Sequence, residues 1–85
     1  MLTKNILVIA QRKKTEALRM ATGLTLLDDV VSVLVCGNLD DSADASEQLE
    51  ALAFSDVPVT QLDNPGNFYR VMAQAISQAD MVYIL

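Results

Sequence analysis

Short apolar runs alternate along the chain with amphipathic stretches. Ile6-Leu7-Val8-Ile9-Ala10 is apolar throughout, and with Asn5 it predicts a first strand over residues 5–10. Ala17, Met20, Ala21, Leu24 and Leu27 then recur at i, i+3, i+4 spacing. That spacing predicts a helix over residues 15–27 with one buried face. Small Ala21 and Gly23 on it suit close packing against a sheet. Val30–Cys36 is nearly all apolar and β-branched, the pattern of a strand covered on both faces. A second helix is predicted over residues 42–53. Asp41, Ser42 and Asp44 are its candidate N-caps, and Ala45, Leu49, Leu52 and Ala53 its inner stripe. A third strand spans residues 57–62, where Pro58 removes a ladder donor and favours a strand start or an edge. Asp63-Asn64-Pro65-Gly66 signals a turn, and Asn67 can cap a third helix over residues 68–79. Phe68, Val71, Met72, Ala75, Ile76 and Ala79 form its stripe. A fourth strand covers residues 81–85.

Strands alternating with helices across short loops imply a parallel sheet. The expected fold is α/β, a three-layer α/β/α sandwich on a four-stranded parallel sheet in the order β-α-β-α-β-α-β. No linker or repeat interrupts residues 1–85, so one domain is expected. Strand orders 3-2-1-4 and 4-3-2-1 both satisfy the pattern. The fourth strand is apolar, and Tyr83 alternates away from Val82 and Ile84. At a sheet edge such a strand invites association. With 52% hydrophobic residues in 85, a homo-oligomer burying a strand edge or helix face is expected.

Charge sharpens this picture. Residues 1–27 hold five cations against Glu16 alone, and residues 28–85 hold ten acids against Arg70 alone. The net charge of −5 argues against nucleic acid as a partner, because the wider field repels phosphates. One cysteine and no histidine exclude an internal disulfide and fit a reducing cytoplasm. Lys4 and the short run Ile6–Ala10 do not make a signal peptide, and no apolar run reaches membrane-span length.

Half of the six cations, Arg12-Lys13-Lys14, stand in one turn between the first strand and the first helix. In a parallel α/β sheet, ligands bind at the carboxyl ends of strands, and helix N–H groups there attract anions. Arg12, Lys13, Lys14 and Thr15 are therefore candidate anion-binding residues for phosphate, sulfate or carboxylate. Cys36 ends the second strand near the same rim, where cations would favour its thiolate. It is the one candidate for covalent chemistry. Asn38, Asn64, Gly66 and Asn67 are candidate rim-loop residues. A zinc site lacks ligands, and His-dependent triads are impossible. Glycine at positions 23, 37 and 66 alone makes neither dinucleotide nor Walker loop. No cofactor or metal is expected, and the balance falls on a non-catalytic chain rather than an enzyme.

Glu16-Ala17-Leu18-Arg19-Met20-Ala21-Thr22-Gly23-Leu24 followed by Val31-Ser32-Val33-Leu34-Val35-Cys36 resembles the DsrE/DsrF-like family of small sulfur-relay proteins. Asp56-Val57-Pro58-Val59 and Ala79-Asp80-Met81-Val82 look like that family's third and fourth strands. The resemblance implies a flavodoxin-like layered fold, homo- or hetero-oligomers, a protein partner in a sulfur-relay complex and, in active members, a cysteine persulfide in the loop after the third strand. Here that loop reads Asp63-Asn64-Pro65-Gly66. The expectation is therefore an accessory, non-catalytic relative that binds a small anion or a partner at the rim, with a persulfide carrier using Cys36 as the alternative. A second stretch, Ile6–Ala10 with Val33-Leu34-Val35-Cys36-Gly37, is similar to the start of the adenine-nucleotide-binding domain of electron-transfer flavoproteins. That likeness implies strand order 3-2-1-4 and an AMP or flavin site at the same rim.

Overall fold

The computed structural model describes residues 3–27, 29–39, 42–62 and 65–85, and of Pro65 and Asn67 the backbone alone. Strand β1 (Asn5–Ala10), helix α1 (Lys14–Leu24), strand β2 (Val30–Cys36), helix α2 (Ala43–Phe54), strand β3 (Val59–Leu62), helix α3 (Pro65–Gln78) and strand β4 (Met81–Ile84) follow one another. All three strand pairs are parallel, and the sheet order is β3-β2-β1-β4. Of the two orders compatible with the sequence, the chain takes 3-2-1-4. β3 is an edge, and Pro58 precedes it, with its carbonyl accepting from the Val33 N–H at 2.9 Å.

The two faces of the sheet are covered unequally. Val8 and Ala10 of β1 and Val31, Val33 and Val35 of β2 pack with Ala17, Leu18 and Ala21 of α1 and with Ala45 and Leu52 of α2. The period of two along a strand sends Leu7, Ile9 and Leu34 to the opposite face. There they meet Val71, Met72, Ala75 and Ala79 of α3. Two helices thus cover one face and one helix the other, which makes three layers. Every residue of β1 after Asn5 is buried, because β1 is central and covered on both sides.

Several element ends differ from expectation for local reasons. α1 stops at Leu24, and tight-turn bonds take over, with Leu26 N–H on Gly23 O and Leu27 N–H on Leu24 O. Leu27 consequently lies outside the core, 58% exposed. Gly23 is also not a packing contact: it is exposed, and a Cβ there would meet nothing within 4 Å. In α2 Ser42 is the N-cap and accepts from the Ala45 N–H at 3.1 Å. Asp44 instead lies in the first turn and pairs with Arg19 of α1, and Asp41 lies outside the described residues. Ala53 is exposed rather than part of the inner stripe. α3 begins at Pro65, three residues early, because proline is suited to the start of a helix, where its missing N–H costs nothing. Asn67 therefore sits inside the first turn of α3 and is not its cap.

Candidate functional site at the carboxyl rim

In the order β3-β2-β1-β4 the chain leaves β1 towards β2 and returns from β3 to the other side of β1. The switch point lies between β1 and β4, where open α/β sheets form a crevice. The turn Gln11–Lys13 sits there. Its three backbone N–H groups converge on one acceptor, the carbonyl oxygen of Leu85, at 3.0, 2.8 and 3.4 Å from Gln11, Arg12 and Lys13. Such a run of N–H groups makes an anion-binding concavity, and here the chain's own oxygen occupies it. These three N–H groups of the turn are thus already engaged. The side chains of Arg12 and Lys13 remain exposed beside it.

The open donors lie one step further along. α1 starts at Lys14 with Lys13 in the capping position, and Lys13 makes no side-chain cap bond. A helix leaves its first N–H groups without intrahelical partners, so those of Lys14, Thr15 and Glu16 point out at the rim. Thr15 is half-buried in this first turn, and Glu16 is exposed in it. Glu16 answers part of the helix dipole, so the positive field at the rim is carried mainly by Arg12 and Lys13.

Lys14 behaves differently from its neighbours. Its Nζ donates to the Asn38 carbonyl at 2.9 Å and stands over Gly37, where an added Cβ would lie 3.4 Å from it. Gly37 has φ +83°, a conformation that favours glycine, and its N–H donates to Leu62 O at 3.0 Å. Lys14 therefore clips the start of α1 onto the end of β2. Its charge is committed to the rim rather than displayed in solvent.

Cys36 is half-buried and a free thiol. It faces the α3 side with Leu62, Val71 and Met72. Burial pushes its pKa up, and the Lys14 ammonium pulls it only partly back. The expectation that neighbouring cations would favour the thiolate is therefore reversed by desolvation. At neutral pH Cys36 is a protonated thiol, which is a weak nucleophile.

The other rim-loop candidates are spread out. Asn38 is exposed and joins the rim through its backbone carbonyl. Gly66 is exposed in the first turn of α3. Asn67 lies in the same turn, and Asn64 lies outside the described residues. The structure brings together Arg12, Lys13, Lys14, Thr15, Cys36 and Asn38. Sequence reasoning did not anticipate the Leu85 oxygen or the Asn38 carbonyl as partners. Gly37, placed directly after a strand, was the available sign of a close approach at that end.

No grouping of His, Cys, Asp and Glu fit to hold a metal ion occurs among the described residues, and no described helix is long and apolar enough to cross a membrane. Two hollows, one floored by Ser32 between Asn5 and Gln78 and one beside Asp29 and Pro58, lie at the amino ends of the strands, opposite the basic turn.

No protein-family model matches the chain, and no curated protein matches it in sequence. Among solved structures, the crystal structure of yeast ynu0 (YNL200c) superposes with a TM-score of 0.61 at 23% identity. The match covers 79% of this chain and 28% of the yeast chain. The present chain thus spans under a third of that protein, and the likeness is one of fold. The α/β/α architecture at the switch point is in this way shared with a larger protein.

Proposed function

We propose that the chain is an accessory, non-catalytic protein of DsrE-like, sulfur-relay type that binds a small oxyanion, or an acidic group of a partner, at the carboxyl rim. The observation that carries this reading is the uncapped start of α1 beside the exposed Arg12 and Lys13 at the switch point. Helix N–H groups and cations then converge on one place in an otherwise acidic chain. Arg12 offers two parallel donors to an oxyanion and Lys13 a point charge, while Lys14 holds the rim together. Cytoplasmic location and a homo-oligomer belong to the same reading. Against a persulfide carrier stands Cys36, whose thiol burial keeps protonated.

Thermal denaturation in sulfate or phosphate, at ionic strength balanced with chloride, tests it. At ten times Kd a bound anion adds about 1.4 kcal/mol, several degrees for a domain of this size. Arg12→Ala with Lys13→Ala removes this increment. The stabilisation that sulfate gives by exclusion from protein surfaces persists in the variant, so the difference between the two chains is the readout. Equal shifts in both would mean that the turn is only solvated.

A second reading, an adenine-nucleotide-binding module, is favoured by strand order 3-2-1-4. That order recurs among doubly wound folds that bind nucleotides at the switch point, but fold alone does not fix function. AMP or FAD raising the melting temperature beyond the effect of equal phosphate would favour this module over the anion site.

A further inference from the structure

Strand β2 is apolar at every position but Ser32. The period of two along the strand puts Ser32 on the α3 face with Leu34. Nearer the rim that face is filled, since Ile9 and Leu34 lie side by side and pack with Val71 and Met72. Around Ser32 it is not. The helix residues there are Ala75 and Ala79, both small, and a hollow of about 230 Å³ remains between the sheet and the last turn of α3. Cores ordinarily close such spaces by interdigitating side chains, and here small residues leave it open.

Hydrogen-bonding side chains meet at this hollow. Ser32 is its half-buried floor, and Asn5 and Gln78 stand at its sides. Asn5 pairs with Val30 and Leu7 with Ser32, so Asn5 and Ser32 are diagonal neighbours on one face. Both backbone groups of Asn5 are held: its N–H donates to an Asp80 carboxylate oxygen and its C=O accepts from the Asp80 N–H, each at 2.7 Å. Its side-chain amide makes no bond among the described residues, nor do the Ser32 hydroxyl and the Gln78 amide. A pinned strand thus presents free polar groups to a hollow whose other walls include the apolar Val30, Ala75 and Ala79.

We infer that this hollow binds a small uncharged molecule with an amide edge. Charge decides against ions. Among the described residues no cation or carboxylate lines the hollow. The last turn of α3, where carbonyl groups concentrate partial negative charge, carries no basic residue. Asp80, just past this turn, is already committed to the Asn5 N–H. An ion would lose water there without gaining a counter-charge. A neutral amide carries a donor beside an acceptor on one edge, and the side chains of Asn5 and Gln78 each offer the complementary pair. The Ser32 hydroxyl both donates and accepts, and the apolar walls take the flat face of the ligand. This inference does not rest on the anion-site reading, because the hollow lies at the opposite ends of the strands.

Two five-membered rings make the test: γ-butyrolactam, a planar amide, and cyclopentanone, its counterpart without the N–H. In amide 15N–1H correlation spectra γ-butyrolactam is expected to shift the backbone amides of Asn5, Ser32 and Ala79 and the side-chain amides of Asn5 and Gln78 along saturable curves. Cyclopentanone is expected to bind about tenfold more weakly, the worth of one buried hydrogen bond. Ser32→Val fills the hollow from the sheet and Ala75→Leu from the helix. Each should weaken γ-butyrolactam binding by about tenfold or more, with the spectrum otherwise native. Absence of saturable shifts overturns the proposal, since the hollow then holds only water. Equal affinity for the two rings overturns it as well, because an apolar recess would suffice. So does either variant, natively folded, that binds γ-butyrolactam as the unmodified chain does.

Discussion

At the scale of single residues, the rim is governed by competition between charge and burial. Lys14 and Cys36 show both sides of it. The Lys14 ammonium favours the thiolate of Cys36, yet desolvation outweighs it and the thiol titrates above its ordinary range. The folded pKa is raised, so this group adds stability below the unfolded thiol pKa of about 8.5, and the contribution is lost as pH rises through the folded value. Alkylation by iodoacetamide should accordingly be slow at pH 7 and accelerate only above the pH at which a free thiol does. Lys14→Met removes the one favourable charge and should move that profile to still higher pH. An unchanged profile in the variant would show that Lys14 does not act on the thiol. The composition of the turn was legible in the sequence, but this balance was not. It depends on Cys36 pointing to the α3 face and on Lys14 reaching the Asn38 carbonyl, and both are tertiary facts.

At the scale of elements, the strands were far more legible than the helix ends. β1 and β2 fall where the apolar runs placed them, since a central strand buried on both faces must be apolar throughout. Helix ends are decided by a few hydrogen bonds and by geometry beyond the stripe. Leu27 continues the apolar spacing of α1, yet the helix gives way to a tight turn after Leu24, and Leu27 swings outward. Ala53 fits the stripe of α2 and is nonetheless exposed. Gly23 is the instructive case, because its small size looked like an adaptation to packing, yet open space surrounds it. What remains is the backbone entropy of glycine in a helix. Gly23→Ala should therefore stabilise the domain by about 0.5–1 kcal/mol, measured by urea denaturation at constant m-value. Destabilisation would mean that an added methyl meets a neighbour after all.

At the scale of the whole molecule, topology supplies what local patterns leave open. Either strand order satisfied the hydrophobic periodicity. Only 3-2-1-4 sets β1 and β4 side by side, and so brings Leu85 onto the basic turn. That contact was invisible in the sequence because its acceptor is a backbone oxygen 72 positions from the nearest donor, Lys13. Its consequence for the proposed reading is specific, for an anion at this rim would be held by the first turn of α1 and the side chains of Arg12 and Lys13, and not by the N–H groups of Gln11–Lys13, which Leu85 O already engages. A phosphate titration followed by amide 15N–1H correlation spectra at fixed ionic strength tests this most directly. The account predicts saturable shifts centred on the amides of Lys14, Thr15 and Glu16, with those of Asp56 and Asp80 at the far end of the sheet unmoved. Shifts spread evenly over the surface, or none at tens of millimolar phosphate, would contradict it.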